Sequence, residues 1–177
     1  MQVWFISDTH FGHANIIKYC NRPFKSIEEM DAEIVKRWNE RVAKDDIVYF
    51  LGDFCFKRSK EAPDGKVFEY YRDKLNGNII FIQGNHDRNN GCKTIMQSAL
   101  VEHGGEKMLL LHDSKRLSSC RYRIVLCGHV HEKWQIKKLG TKTTIINMSV
   151  DVWDYRPQSI NDIISRKAKW HKEGGKE

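Results

Sequence analysis

The sequence predicts an α/β fold, and three observations carry that expectation. Five apolar runs of four or five residues are spaced along the chain, each flanked by Gly or polar residues, which suits strands buried on both faces. Other stretches repeat apolar residues at spacings of three and four, the period of a helix with one buried face. Each run also leads directly into residues with metal-binding or acid-base chemistry, as in sheets whose ligands bind at the carboxyl ends of strands.

In chain order, Val3-Trp4-Phe5-Ile6 is a strand leading to Asp8. Ser26-Ile27-Glu28-Glu29 resembles a capping box, and Ile27, Met30, Ile34, Trp38 and Val42 then line one face of a helix reaching about Ala43. The run from Ile47 to Leu51 leads to Asp53, and Asp64 to Leu75 is a weaker helix carrying Val67, Tyr71 and Leu75. Ile79 to Ile82 leads to Asn85, Met108 to Leu111 delivers His112, and Ile124 to Cys127 delivers His129 and His131. Trp134 to Lys137 and Thr143 to Ile146 flank Leu139-Gly140-Thr141 as a hairpin. Ser159 to Lys172 is a closing helix with Ile160, Ile163 and Ile164 inward. Residues 1–172 are expected to form one domain and 173–177 a frayed tail, with no repeat or linker.

Composition agrees with one soluble domain. At 177 residues and 20.8 kDa the chain is large enough to bury a core without staples. It has no apolar stretch of transmembrane length, and strand residues with a ligand candidate occupy its first ten positions, so a cytoplasmic protein without a membrane partner is expected. Five cysteines without C-x-x-C spacing argue against a disulfide framework and a structural zinc site. Cys127 reads as core, and Cys55 as a packed small hydrophobe in preference to a metal-adjacent thiol. A formal net charge of +7 favours anionic partners without choosing one.

The chemistry lies in five fragments: Asp8-Thr9-His10, Gly52-Asp53, Gly84-Asn85-His86-Asp87, His112 and Gly128-His129-Val130-His131. Alone, each has an ordinary structural explanation. Recurrence does not, since five of the eight histidines fall at strand ends. Carboxylate, imidazole and amide oxygen together suit borderline divalent metals such as Mn, Fe, Co, Ni or Zn, and the fragments read as a two-metal site. His103 and His171 lack this context and read as surface or rim residues.

These fragments, from Asp8 to His131, resemble the signature D-x-H, G-D, G-N-H-D/E, H and G-H-x-H of the calcineurin-like metallophosphoesterases. The resemblance implies a four-layer α-β-β-α sandwich of two mixed sheets with flanking helices, and a dinuclear metal site at the strand C-terminal ends. It implies that Asp8, His10 and His131 hold one metal, that Asn85, His112 and His129 hold the other, and that Asp53 bridges them. It makes His86 the catalytic histidine.

The chemistry is also arguable directly. Two metals roughly 3.5–4 Å apart clamp the oxygens of an in-line displacement and lower the pKa of a bound water toward neutrality. Only a carboxylate has the two oxygens and the charge to bridge two cations, which fits Asp53. His86, beside Asn85 on the same turn, is placed to protonate the leaving group. Asp87 orients that ring or caps the next segment. The expected activity is phosphoester hydrolysis, on a phosphomonoester, a phosphodiester or a nucleotide, through direct attack of a metal-bridging hydroxide, with Mn the foremost metal. His13 and Arg22 are candidate phosphate contacts, Arg by a charge-assisted pair; in the competing reading His13 and Asn15 cap a helix and Arg22 pairs on the surface. Lys115-Arg116 and Arg121 to Arg123 bracket a loop that either steers substrate or is simply solvated. Phe11, Phe54 and Phe56 stack a base if they line the rim, and are otherwise core.

Departures from better-known branches narrow the choice. Gly52-Asp53-Phe54-Cys55-Phe56-Lys57 lacks the G-D-x-x-D-R-G pattern of the Ser/Thr protein phosphatases, and the stretch after His131 leaves little room for the extensions of the double-strand-break nucleases. A small nuclease stays open, so nucleic acid is a possible partner. The alternative from another class is a scaffold that keeps the sandwich for protein partners after losing catalysis. Retention of His86 and all seven ligand positions argues against it. Neither the natural substrate nor the oligomeric state is readable.

Overall fold

Among the described residues, nine strands fall into two sheets, and their order explains where the polar fragments meet. The computed structural model describes residues 1–175 other than 64 and 93, and not the side chain of Arg116. The last two positions of the expected tail and the start of the expected helix at Asp64 therefore lie outside the described residues. Val3–Ile6 (β1), Ile47–Phe50 (β2), Asn78–Phe81 (β3) and Gln158–Ser159 (β9) form a sheet in the order β3-β2-β1-β9. Ser98–His103 (β4), Glu106–Leu111 (β5), Ile124–Cys127 (β6), Ile136–Leu139 (β7) and Thr143–Asn147 (β8) form the other, in the order β4-β5-β6-β8-β7. Both are mixed: β1, β2 and β3 run parallel with β9 antiparallel, and β5, β6 and β8 run parallel between antiparallel β4 and β7.

Side-chain alternation separates the layers. Phe5 points into a cluster shared with Met108, Leu110, Ile124, Leu126 and Ile146 of the five-stranded sheet, so this is the core between the sheets. Its neighbours Trp4 and Ile6 point the other way, toward Met30, Ile34 and Trp38 of the helix Ile27–Asn39 (α2) and Val67 and Tyr71 of Val67–Arg72 (α3). A third cluster, Leu111, Val125, Cys127 and Ile145, is covered by Leu117, Cys120 and Trp134. The closing helix Ile160–Lys172 (α4) contributes Ile160, Ile163 and Trp170 to the inter-sheet core. The architecture is thus α/β, with two mixed sheets and flanking helices, as the sequence led one to expect. No described helix is long and apolar enough to cross a membrane.

Local signals explain the boundaries. Ser26 Oγ accepts from Glu29 N–H, but the Glu29 carboxylate accepts from Lys25 N–H, so the cap is shifted one residue from the reciprocal box. At Ser159 and Asp162 the box is complete. Helix α2 ends at Asn39, earlier than Ala43, yet Val42 still packs into the core through the following turn. The strand β4 is not evident from its apolar content, because it lies at a sheet edge and its residues alternate between exposed and half-buried. Its signal is the turn: Gly104 and Gly105 have φ of 60° and 77°, the conformation of a tight hairpin loop.

One buried acid is unlike the others. Asp31 of α2 is 2 % exposed and its Oδ2 accepts from Gly12 N–H at 2.9 Å and Tyr71 O–H at 2.6 Å. Burial pushes its carboxyl up from 3.8 to about 7, against the pull of those two donors. A folded pKa above the unfolded value contributes stability that is complete below 3.8 and is lost as the pH rises through about 7. Asp31→Asn should therefore gain on the wild type in thermal midpoint from about pH 5 to about pH 8, whatever its offset at low pH. Parallel midpoint curves for the two proteins would refute the buried ionisation.

Candidate metal centre

The carboxyl ends of β1, β2, β3, β5 and β6 lie together, and the chain stitches them across the two sheets. Ser7 N–H donates to Met148 O at 2.9 Å, Asp8 N–H to Gly52 O at 3.0 Å, His10 N–H to Asp53 O at 3.1 Å and Gly128 N–H to His112 O at 2.9 Å. Five of the expected ligands, Asp8, His10, Asp53, His129 and His131, have left-handed backbones with φ between 50° and 73°. For non-glycine residues this conformation costs about 1–3 kcal/mol each, and such strain concentrates at functional sites.

Two donor groups result. Asp8, His10 and His131 bring one ligand atom each within 4.8 Å of one another. On the other side, Asn85 Oδ1 lies 2.9 Å from His112 Nε2 and 2.8 Å from His129 Nδ1. Asp53 Oδ2 sits between the groups, 3.6 Å from His10 Nε2 and 3.4 Å from His112 Nε2. His10 Nε2 is buried and has no hydrogen-bond partner. An orphaned imidazole nitrogen among carboxylate, imidazole and amide donors fits a divalent cation.

Imidazoles balance the charge of the carboxylates in these groups. Burial alone would raise Asp53, but the His112 and His10 imidazoles beside it hold its carboxyl below the usual range. Burial likewise opposes charge on His112, yet the Asp53 contact and the nearby Asp8 push it up to about 9. Its Nδ1 donates to Leu51 O at 2.8 Å, which leaves Nε2, near Asn85 and Asp53, as the nitrogen that would ligate a metal. Burial raises Asp8 and lowers His10 and His129.

The other expected residues divide. His86 is exposed, its ring centroid lies 5.8 Å from that of His10, and its N–H donates to Asp53 Oδ1 at 2.9 Å, so it stands beside both groups outside the donor sets. His13 is half-buried at the rim, 5.6 Å from His10 and stacked on Phe56 at 4.8 Å. It occupies the N-cap of the helix Ala14–Tyr19 (α1) without a capping bond from its side chain. Burial lowers its pKa, with His86 and Arg22 adding to the effect.

Arg22 corrects the expectation of a phosphate contact. Its side chain is fully buried, and it donates to Asp151, to the carbonyls of Asp8 and Thr9 and to Met30 Sδ, leaving no N–H for a substrate. Asp87 neither orients the His86 ring nor caps the next segment: its two oxygens accept from the N–H groups of Asp53, Phe54 and Gly84. Phe11 and Phe54 are core, and only Phe56 reaches the rim. Lys115, Arg121 and Arg123 are exposed, with Arg121 donating to Tyr122 Oη; the Arg116 side chain lies outside the described residues. Cys55 is buried with its Sγ 3.7 Å from Cys92 Sγ. Asp151 gives no signal in the sequence, although its Oδ2 lies 2.9 Å from His131 Nδ1. It stands in no motif, and only the fold brings it to the histidine.

Residues 1–148 match the model of the calcineurin-like phosphoesterase superfamily domain. An uncharacterised protein of Methanocaldococcus jannaschii is 39% identical over 166 residues, covering 92% of this chain and 89% of that protein. The gene 66 protein of Mycobacterium phage D29 is 26% identical, covering 91% of this chain and 96% of its own. A solved protein of unknown function from Aquifex aeolicus superposes with a TM-score of 0.69 at 26% identity, covering 93% of this chain and 98% of its own.

The motif glycines Gly84 and Gly128 leave no room for a side chain. A Cβ on Gly84 would collide with Asp53 Oδ1 and the Asp53 backbone, and one on Gly128 with Asp8 Oδ2 and Ser7 Oγ. Because backbone blocks the first, Gly84→Ala should displace Asp53 and lower divalent-metal uptake by more than about tenfold in equilibrium dialysis, the lower bound for losing support of a ligand. Uptake equal to that of the wild type would show that the close approach is not needed to hold the donor groups.

Proposed function

The chain belongs to the calcineurin-like phosphoesterase superfamily, and we propose that it hydrolyses a small phosphomonoester or phosphodiester, nucleotides included, using two divalent metal ions. The observation that carries this reading is the pair of donor groups facing each other across Asp53, with exposed His86 beside them. Asp8, His10 and His131 would hold one ion, Asn85, His112 and His129 the other, and Asp53 both. The donor set suits Mn first, with Fe, Co, Ni or Zn as alternatives. Two bound ions would supply charge neutralisation at the phosphate and a water acidified toward neutral pH.

The remaining work belongs to side chains outside the donor sets. His86 is free to donate a proton to the leaving oxygen. His13, at the rim, is placed to contact the phosphate or its ester group. The nucleophile is water, since the Asp8 and Asp53 carboxylates are committed to the donor groups and Cys55 is buried against Cys92. A cavity of about 410 Å³ opens beside Asn85 and His112, with Gln83, Arg88 and Gln97 in its wall. That volume falls among sites for small organic ligands.

A panel of aryl, alkyl and nucleotide phosphoesters, assayed with Mn and after chelation, tests the class: turnover that depends on the metal is expected, and a fully loaded protein inert toward the whole panel would overturn it. Within that class, His86→Ala should keep the metal content while cutting turnover by about 10²–10⁴-fold, the usual worth of a general acid. The loss should be smaller for p-nitrophenyl than for alkyl esters. Equal losses on both would rule out proton donation to the leaving group.

A further inference from the structure

We propose that the buried Arg22–Asp151 pair is the positioning device of the first donor group, holding the His131 ring and the Asp8-Thr9-His10 turn in their metal-binding geometry. This rests on the two-metal reading of the site. Asp151 Oδ2 lies 2.9 Å from His131 Nδ1, which turns the ring so that Nε2 faces Asp8 Oδ1 at 4.0 Å. Ser149 Oγ donates to the same carboxylate oxygen at 2.8 Å, fixing it from a second side. A carboxylate on the far nitrogen of a ligating histidine sets its tautomer and raises its basicity.

Arg22 serves both halves of the device. Its Nε donates to Asp151 Oδ1 at 2.8 Å, and one terminal nitrogen to Asp151 Oδ2 at 3.1 Å and to Asp8 O at 2.7 Å. The other terminal nitrogen donates to Thr9 O at 2.9 Å. The guanidinium therefore caps the carbonyls of a turn whose residues Asp8 and His10 have φ of 58° and 51°. A planar fork with five donors can do this while remaining paired to a carboxylate; an ammonium cannot. The chain delivers Arg22 here by ending α1 on a left-handed Asn21, with Arg22 N–H donating back to Ile17 O, the six-to-one bond of a Schellman motif. The pair spans 129 positions of sequence and so ties the turn after β1 to the segment after β8.

Manganese titration of the metal-free protein by calorimetry, supported by visible spectra of the cobalt-loaded form, tests the proposal on the wild type, Asp151→Asn, Arg22→Lys and a control. The control is Asp46→Asn, which removes a buried carboxylate bonded to Trp4 Nε1 and to the N–H groups of Gln2 and Ala43, away from the donor groups. Asp151→Asn and Arg22→Lys should each weaken one of the two metal-binding steps by about 10–100-fold and alter the cobalt spectrum, with the other step unchanged. Asp46→Asn should lower the melting temperature and leave both steps intact. Wild-type affinity at both steps in Asp151→Asn, or a loss shared equally by both steps, would overturn the positioning role. A wild type that takes up no metal would overturn the two-metal reading, and this proposal with it.

Discussion

Two carboxylates, Asp8 and Asp53, are buried at 0 % and 2 % exposure at the meeting point of two sheets. Unpaired, such groups would lose several kcal/mol each to desolvation, so the surrounding architecture has to supply positive charge or hydrogen-bond donors. It supplies both. His112 and His10 face Asp53, His129 N–H donates to both oxygens of Asp8 at 3.1 and 3.0 Å, and Ser7 Oγ donates to Asp8 Oδ2 at 2.6 Å. The histidines answer a burial problem before they answer a catalytic one. Under the proposed function a bound cation would take over the positive charge that these imidazoles supply, so loading of the donor groups would depend on pH.

The same demand shapes the backbone. To point a carboxylate and an imidazole two residues apart at one spot, the chain must double back immediately after a strand, and a left-handed residue does this within a single turn. Asp8 and His10 share that solution, as do His129 and His131. Strain of this kind persists only where neighbours over-determine it. Those neighbours are visible: Arg22 on the carbonyls of Asp8 and Thr9, Thr9 Oγ1 on Phe54 O, and the Asp87 carboxylate on three backbone N–H groups. Asp87 shows why an acid comes after the Asn-His pair here. It fastens the Gly84 turn, which leads into Asn85, to the Asp53 turn.

What can be read from the sequence divides along the same line. Strands such as Ile124–Cys127, buried throughout, announce themselves by apolar content, and the residue after each is placed by the strand's end. The ligand candidates are legible for that reason. The edge strand β4 is not, because one face meets solvent and its composition is ambiguous. Arg22 reads wrongly as a phosphate contact because proximity along the chain to Asp8 and His10 is a poor guide to where a long side chain ends. Its principal partner, Asp151, is contributed by the opposite end of the chain. Asp151 carries no local pattern at all, since a carboxylate that supports a ligand needs only to be in the right place in the fold.

Separating support from contact also bears on specificity. Arg22, Asp87 and Asp151 are spent on hydrogen bonds to the turns and side chains of the donor groups, so under the proposed function they would not be free to distinguish one phosphoester from another. The groups free to do so are those that touch the cavity beside Asn85 and His112 and make fewer internal commitments. Gln83 gives one amide hydrogen to Thr94 O at 2.8 Å and lines the cavity, while Arg88 and Gln97 are exposed. The wall therefore offers the Arg88 cation, the Asp113 carboxylate and the neutral amides of Gln83, Asn85 and Gln97. A cation favours an anionic or electron-rich group, whereas amides can donate and accept at the edge of an uncharged ring. Under the proposed function, selectivity built this way would change by substitution at Gln83, Arg88 or Gln97, none of which belongs to a donor group. Among the described residues, side chains and N–H groups of Ser7, Arg22, His86, Asp87, His129 and Asp151 hold Asp8, Asp53 and His131 by hydrogen bonds in which the side chains of Gln83, Arg88 and Gln97 take no part.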